Sequence, residues 1–198
     1  MRLHLGPLPD EFAPDNSWHA IHEPGPILMQ FLAIPFGFGA ATLSFLLWQV
    51  FGLPSSMQVR GSDASIFLLT LVLSLAVLII VHELLHAIVH PHFGCSPRTV
   101  IGAWPSRMLF YAHYSGPLTR DRFLLVFLMP FLVISVLPIV MAAIGVIPHS
   151  LMFWPAWFSV WNALFASGDL LGIALIFFQV PRAAIVQNQG WRTYWKLS

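Results

Sequence analysis

Apolar residues run along this chain in long unbroken blocks, without the alternation of half-buried strands or the three-and-four spacing of surface helices. Four blocks stand out, at residues 27–51, 66–90, 123–147 and 151–180. A hydrocarbon core about 30 Å thick needs about 20 mostly apolar residues per crossing helix, so each block predicts one transmembrane helix. Residues 64–81 are apolar apart from Ser65, Thr70 and Ser74 and none is charged, which is not the dyad pattern of a membrane barrel. The expected fold is therefore an all-α membrane protein with one four-helix domain at 27–180. The leader 1–26 is Pro-rich and reads as irregular, and it lacks the basic start of a secretory signal, so the first block is expected to stay. Residues 181–198 read as a tail at the membrane surface. Between the second and third blocks, the β-prone runs 99–104 and 108–114 flank Pro105 and Ser106, and Gly116-Pro117 closes the second. They predict a short membrane-adjacent β-hairpin.

Composition sharpens this picture. Of 198 residues, 58% are hydrophobic and 9% charged, against roughly 25% charged in soluble domains, and the mean hydropathy is +0.78. An ordinary soluble enzyme and an intrinsically disordered chain are both excluded. A net charge of +1 with no basic block gives nucleic acid no electrostatic footing. Cys95 is the single cysteine, so no intramolecular disulfide can form. If the four spans alternate, Arg2, Arg98, Arg107, Arg120, Arg122, Arg182, Arg192 and Lys196 share one side and Arg60 stands alone on the other. The positive-inside rule then predicts a multi-pass protein of the inner or plasma membrane with both termini cytoplasmic and short outer turns near 54–63 and 148–150. Trp48, Trp154 and Trp157 would mark the outer boundary, and Trp191 and Trp195 the inner one.

Candidate chemistry sits late in the second block, where the chain reads Val81-His82-Glu83-Leu84-Leu85-His86. Two histidines one helical turn apart project together and can bind one zinc ion, while the intervening glutamate lies beside the water that shares it. At this composition the pattern arises by chance roughly 0.006 times per chain. A glutamate placed in hydrocarbon costs about 2.5–3.5 kcal/mol or more, which is a default argument for function. The alternative is that His82, Glu83 and His86 only hydrogen-bond one another or other helices.

A catalytic zinc site uses three protein ligands, and Glu83 and Asp169 are the two acids inside the apolar blocks. His82 and Asp169 lie at similar depths, about 24 and 27 Å from the outer ends of their spans at about 1.5 Å per residue, so Asp169 is the expected third ligand. Gly168 and Gly172 form a small-xxx-small pattern that lets another helix approach it. His92 follows His82 by ten residues, the third-ligand spacing of a metzincin, but Val89 stands where that pattern needs glycine. His90 is about 12 Å from His82 along a helix and cannot share its ion. His90, His92 and His113 are expected near the site or the interface, and Cys95, His19 and His22 carry no assigned role. Asn162, two turns before Asp169, is a candidate for binding substrate backbone, or else for an interhelical hydrogen bond.

His82, Glu83, His86 and Asp169 resemble the site residues of site-2 protease type intramembrane zinc metalloproteases. Together with the loop ending 111–122, Met129-Pro130-Phe131 and the Ser167-Gly168-Asp169-Leu170 segment, they are more similar still to the bacterial putative zincin peptidase family. Where site-2 proteases carry Asn-x-x-Pro and then Leu-Asp-Gly, this chain has Phe165 at the proline position and a glycine before Asp169. The resemblance implies a membrane zinc metalloendopeptidase, with zinc on His82, His86 and Asp169, Glu83 as general base, and a membrane protein or peptide as substrate. Two other readings stay open: a metal or proton transporter with a His82, His86, His90 and Asp169 relay, and a non-catalytic scaffold that holds metal for folding. Two histidines and a carboxylate suit iron as well as zinc.

Overall fold

The computed structural model describes residues 1–51 and 64–198; the outer turn expected at 54–63, with Arg60, lies outside the described residues. The apolar blocks are helical. α1 (Pro26–Val50), α2 (Ala64–Val89) and the run Arg120–Ala143 are each long and apolar enough to cross a membrane. α1 begins with Pro26, whose missing N–H would have had no partner in the first turn. The third block is α3 (Arg120–Pro130), a π-helical turn at Phe131–Val136 and α4 (Leu137–Ala143). Pro130 cannot donate to the helical ladder, and the ladder widens directly after it.

The fourth block departs from the expected single helix. It divides into α5 (Phe153–Phe165) and α6 (Ser167–Gln179), bent by 52° at a break centred on Ala166. Among the described residues, counting the bent pair as one span gives four apolar spans, and otherwise three. Large apolar side chains on α1 and α2, among them Phe31, Phe38, Leu68 and Leu73, stay exposed. A soluble monomer rarely leaves so continuous an apolar surface in water, and this one is compatible with a membrane protein.

Strands at both ends of the chain correct the all-α expectation. The expected hairpin is present as β3 (Thr99–Trp104) and β4 (Leu109–Tyr114), in register from Thr99 opposite Tyr114 to Trp104 opposite Leu109. The leader, expected to be irregular, supplies β1 (Arg2–Leu5), which joins β3 in parallel, and β2 (His19–Ala20). β2 edges a second sheet of order β2-β7-β6-β5, built from β5 (Leu118–Thr119), β6 (Ala184–Gln189) and β7 (Arg192–Leu197). The tail 181–198 is thus a hairpin, turned through Gly190 at φ +53° and Trp191. β1 and β2 find their partners about a hundred residues or more along the chain, so no local periodicity announces them.

Two apolar clusters pin the ends of the bundle. One gathers Val89, Phe123, Val126, Ile176 and Val186 where α2 and α6 end and α3 begins. The other gathers Trp48, Ile139, Ala142, Met152 and Ala156 at the opposite end. Thr119 Oγ1 caps α3 by accepting from Arg122 N. Arg122 Nε in turn donates to Val89 O at the end of α2 (2.7 Å), and Arg120 donates to Phe177 O in the last turn of α6 (3.1 Å). Arginines at carbonyl ends of helices complement both the free acceptors and the helix dipoles.

α1 reaches the break between α5 and α6 through Gly37. A Cβ built there would stand 2.7 Å from Leu164 O and from Ser167 Cβ, whereas one on Gly39 meets nothing within 4 Å. Gly37→Val is expected to destabilise the bundle by about 1–3 kcal/mol through overpacking. Thermal unfolding in detergent checks this, with Gly39→Val expected to melt with the wild type.

Candidate metal centre

α2 carries His82 and His86 on one face one turn apart, and the bend at Ala166 sets Asp169 in the first turn of α6. The three converge. Asp169 Oδ2 lies 3.1 Å from His82 Nε2 and 3.4 Å from His86 Nε2, and the two Nε2 atoms are 3.1 Å apart. Donors about 2.0–2.1 Å from a zinc ion at tetrahedral angles stand about 3.3 Å from one another. The observed triangle has those edges, and the group could hold a metal ion.

Hydrogen bonds behind the imidazoles decide which nitrogens face the triangle. His86 Nδ1 lies 2.7 Å from Val126 O, a carbonyl that can only accept, so Nδ1 carries the proton. His82 Nδ1 lies 2.8 Å from Asn162 Oδ1. The Asn162 amide is itself oriented by donating from Nδ2 to Pro130 O (3.1 Å) and Ser135 Oγ (2.9 Å). Ser135 and Ser159 complete the network by donating to each other's carbonyl. Both rings therefore turn Nε2 toward Asp169, whose Oδ2 is buried within 3.4 Å of each. With each imidazole neutral and protonated at Nδ1, the two Nε2 lone pairs and the carboxylate oxygen form a donor set for a cation. A proton on Nε2 makes a buried His–Asp ion pair of the same three atoms.

Glu83 is buried beside this group, and its Oε2 also lacks a partner among the described residues. Asn162 is wholly buried, and its amide makes hydrogen bonds between helices, the second of its two expected roles, through which it orients His82. His92 lies outside the group, exposed in the turn Pro91–Gly94 with φ +58°. Cys95 is exposed. His90 is buried against the Tyr114 ring at 5.4 Å. The small-xxx-small pattern finds its neighbour in Phe127 of α3, whose ring edge would be 3.3 Å from a Cβ on Gly172.

A cavity of about 210 Å³ leads away from Asp169 and Gly172. One wall is β4, which is the outer strand of its sheet and all six of whose residues line the cavity. His90 and His113 also border it, and Glu23, Asn188 and Trp191 line it as well. Burial pushes the His113 imidazole down to about 4, so it faces the cavity neutral near pH 7. Sequence reasoning did not find the Val126 carbonyl or the Pro130, Ser135 and Ser159 network. A proline and a serine within one apolar block were the available signal.

Partners that orient metal-ligating histidines typically contribute 10–100-fold to metal affinity. Asn162→Leu is expected to weaken zinc binding by about that factor and Asp169→Ala by more, measured by competition with a chromophoric chelator, while His92→Ala binds as the wild type. No curated protein and no solved structure matches the chain. Residues 75–185 match the family described as "Putative zincin peptidase", a segment that contains His82, Glu83, His86 and Asp169 and makes up more than half of the 198 residues. The chain belongs to this family, whose description suggests a zinc metallopeptidase and agrees with a donor set that could hold a metal ion.

Proposed function

We propose that the protein is an integral membrane zinc metalloendopeptidase that hydrolyses peptide bonds of a membrane protein or peptide in or beside the bilayer. One observation carries this reading: Asp169 Oδ2 and the Nε2 atoms of His82 and His86 meet in a triangle of 3.1, 3.1 and 3.4 Å, with buried Glu83 beside it, whose Oε2 has no hydrogen-bond partner among the described residues. Zinc held there supplies Lewis acidity, polarising a carbonyl and acidifying a water.

The chain's own residues do the remaining work. Glu83 takes the proton of the attacking water and returns it to the leaving amine, the general base and then general acid of the reaction. Its buried Oε2 has no hydrogen-bond partner among the described residues. Asn162 and the Val126 carbonyl hold the two imidazoles in the tautomer that leaves Nε2 free. The outer edge of β4 offers backbone groups along a cavity that reaches Asp169, so a peptide unwound into an extended strand can add to that edge and be carried to the metal centre. Seen this way, the chemistry resembles that of site-2 proteases.

Four crossings, with α5 and α6 together forming the last, place both termini and both sheets on the cytoplasmic side by the positive-inside count. Arg120 and Arg122 then sit at that boundary, where their bonds to Phe177 O and Val89 O also close two helix ends. Water reaches the site from this side through the cavity beside β4.

Glu83→Gln is expected to retain one zinc per chain and to lose cleavage by at least about 10²–10⁴-fold, the usual range for a positioned acid–base group. Metal content by elemental analysis alongside hydrolysis of a fluorogenic peptide in nanodiscs checks it. Full cleavage in that variant refutes the mechanism.

A further inference from the structure

The end of the cavity bordered by Glu23 has an unbalanced set of polar groups. Glu23 lies just ahead of α1, and its carboxylate accepts from the backbone N and from Oγ1 of Thr193 on β7. It has no ion-pair partner among the described residues, and burial pushes it up to about 7 despite the nearby charge of Arg192. Asn188 stands opposite Thr193 across the β6–β7 pair. Its Oδ1 is buried and finds no hydrogen-bond donor among the described residues. Trp191, at the turn between those strands, donates from Nε1 to Pro24 O (3.0 Å), which pins the indole beside Glu23. All three residues line one cavity, and among the described residues no lysine or arginine lines it with them.

We propose that Glu23, Asn188 and Trp191 form a subsite for the cationic side chain, ammonium or guanidinium, of a basic residue in the bound peptide. This rests on the reading of the cavity as a peptide-binding cleft. The complementarity is chemical: two acceptor oxygens and an aromatic ring meet a ligand that offers only donors, positive charge and no acceptor. A neutral side chain of the same length would leave Asn188 Oδ1 unsatisfied and Glu23 without a countercharge, which is the stronger basis of selectivity when polar groups are buried. Thr193 holds both sides of the subsite, bonding Glu23 directly and facing Asn188 across the hairpin.

The test uses the full chain in phosphatidylglycerol nanodiscs, stripped of zinc so that nothing is cleaved. Fluorescein-labelled decapeptides of alanine and valine carry one lysine, walked through all ten positions, and are compared by anisotropy with norleucine at the same position. At one register lysine is expected to bind about tenfold tighter than norleucine. That preference should fall below about twofold in Glu23→Gln, rise in Asn188→Asp, and reverse toward glutamate peptides in Glu23→Lys, with each variant still taking up one zinc as evidence of a folded centre. No lysine preference at any position, or one that survives Glu23→Gln, overturns the subsite. Loss of the preference in phosphatidylethanolamine nanodiscs, dependent on Glu23, would assign the cation to a lipid headgroup and overturn it equally. Failure of the peptidase reading shows separately, as absence of hydrolysis of every peptide in the series by the zinc-loaded wild type.

Discussion

Three electron-pair donors held within 3.4 Å of one another inside an apolar bundle set the terms for the rest of this structure. Such a group is costly by itself, because its polar atoms are taken out of water and must be balanced by a metal ion or a proton. Asn162 Oδ1 and Val126 O hold a proton on the far nitrogen of each ring. Those bonds leave Nε2 of each ring facing the triangle, and the carboxylate on α6 adds a negative charge to a group that could hold a metal ion.

Delivery of these donors explains the irregularities of the helices. A straight fourth helix would carry Asn162 and Asp169 on one face at two levels, about 10 Å apart along the axis. The 52° bend at Ala166 lets both reach the same imidazole, one at Nδ1 and one at Nε2. Opposite them, Pro130 and the π-helical turn leave the Pro130 carbonyl turned to the Asn162 amide. π-turns and broken helices in apolar surroundings are tolerated where side chains satisfy the freed backbone groups, as Asn162, Ser135 and Ser159 do here. Gly37 permits α1 to close over the bend, so the first helix supports the site without contributing a side chain to it.

Much of this was legible in the sequence wherever the cause is local. The apolar blocks announce themselves by length, the hairpin by its turn residues, and His82, Glu83 and His86 by a spacing that is itself the geometry of one helical turn. Asp169 could be reached by depth matching because a carboxylate in an apolar block has few alternatives. What escaped depends on contacts distant in sequence. β1 and β2 become strands only because β3 and β7 present open edges. Asn162 was placed on the correct face, but its orientation follows from the π-turn after Pro130, which no periodicity in 123–147 reveals. The break at Ala166 comes directly before the polar Ser167-Gly168-Asp169, but the apolar residues on both sides are long enough together to extend one helix across it.

The division between the family segment and its flanks bears on selectivity. Residues 75–185 hold His82, His86, Asp169, Glu83 and the β3–β4 hairpin, the parts that the proposed hydrolysis uses. Glu23, Asn188 and Trp191 lie outside that segment, on the leader and the terminal hairpin, and meet the cleft because β2 and β7 pair and Trp191 bonds Pro24. In the proposed function, chemistry and recognition come from different stretches of chain that share one cavity. Binding energy contributed by the flanks raises the rate of cleavage only if it is realised as the scissile amide reaches the metal centre. An extended peptide fixed to the β4 edge would meet that condition, because one backbone register aligns its cationic side chain and its scissile bond together.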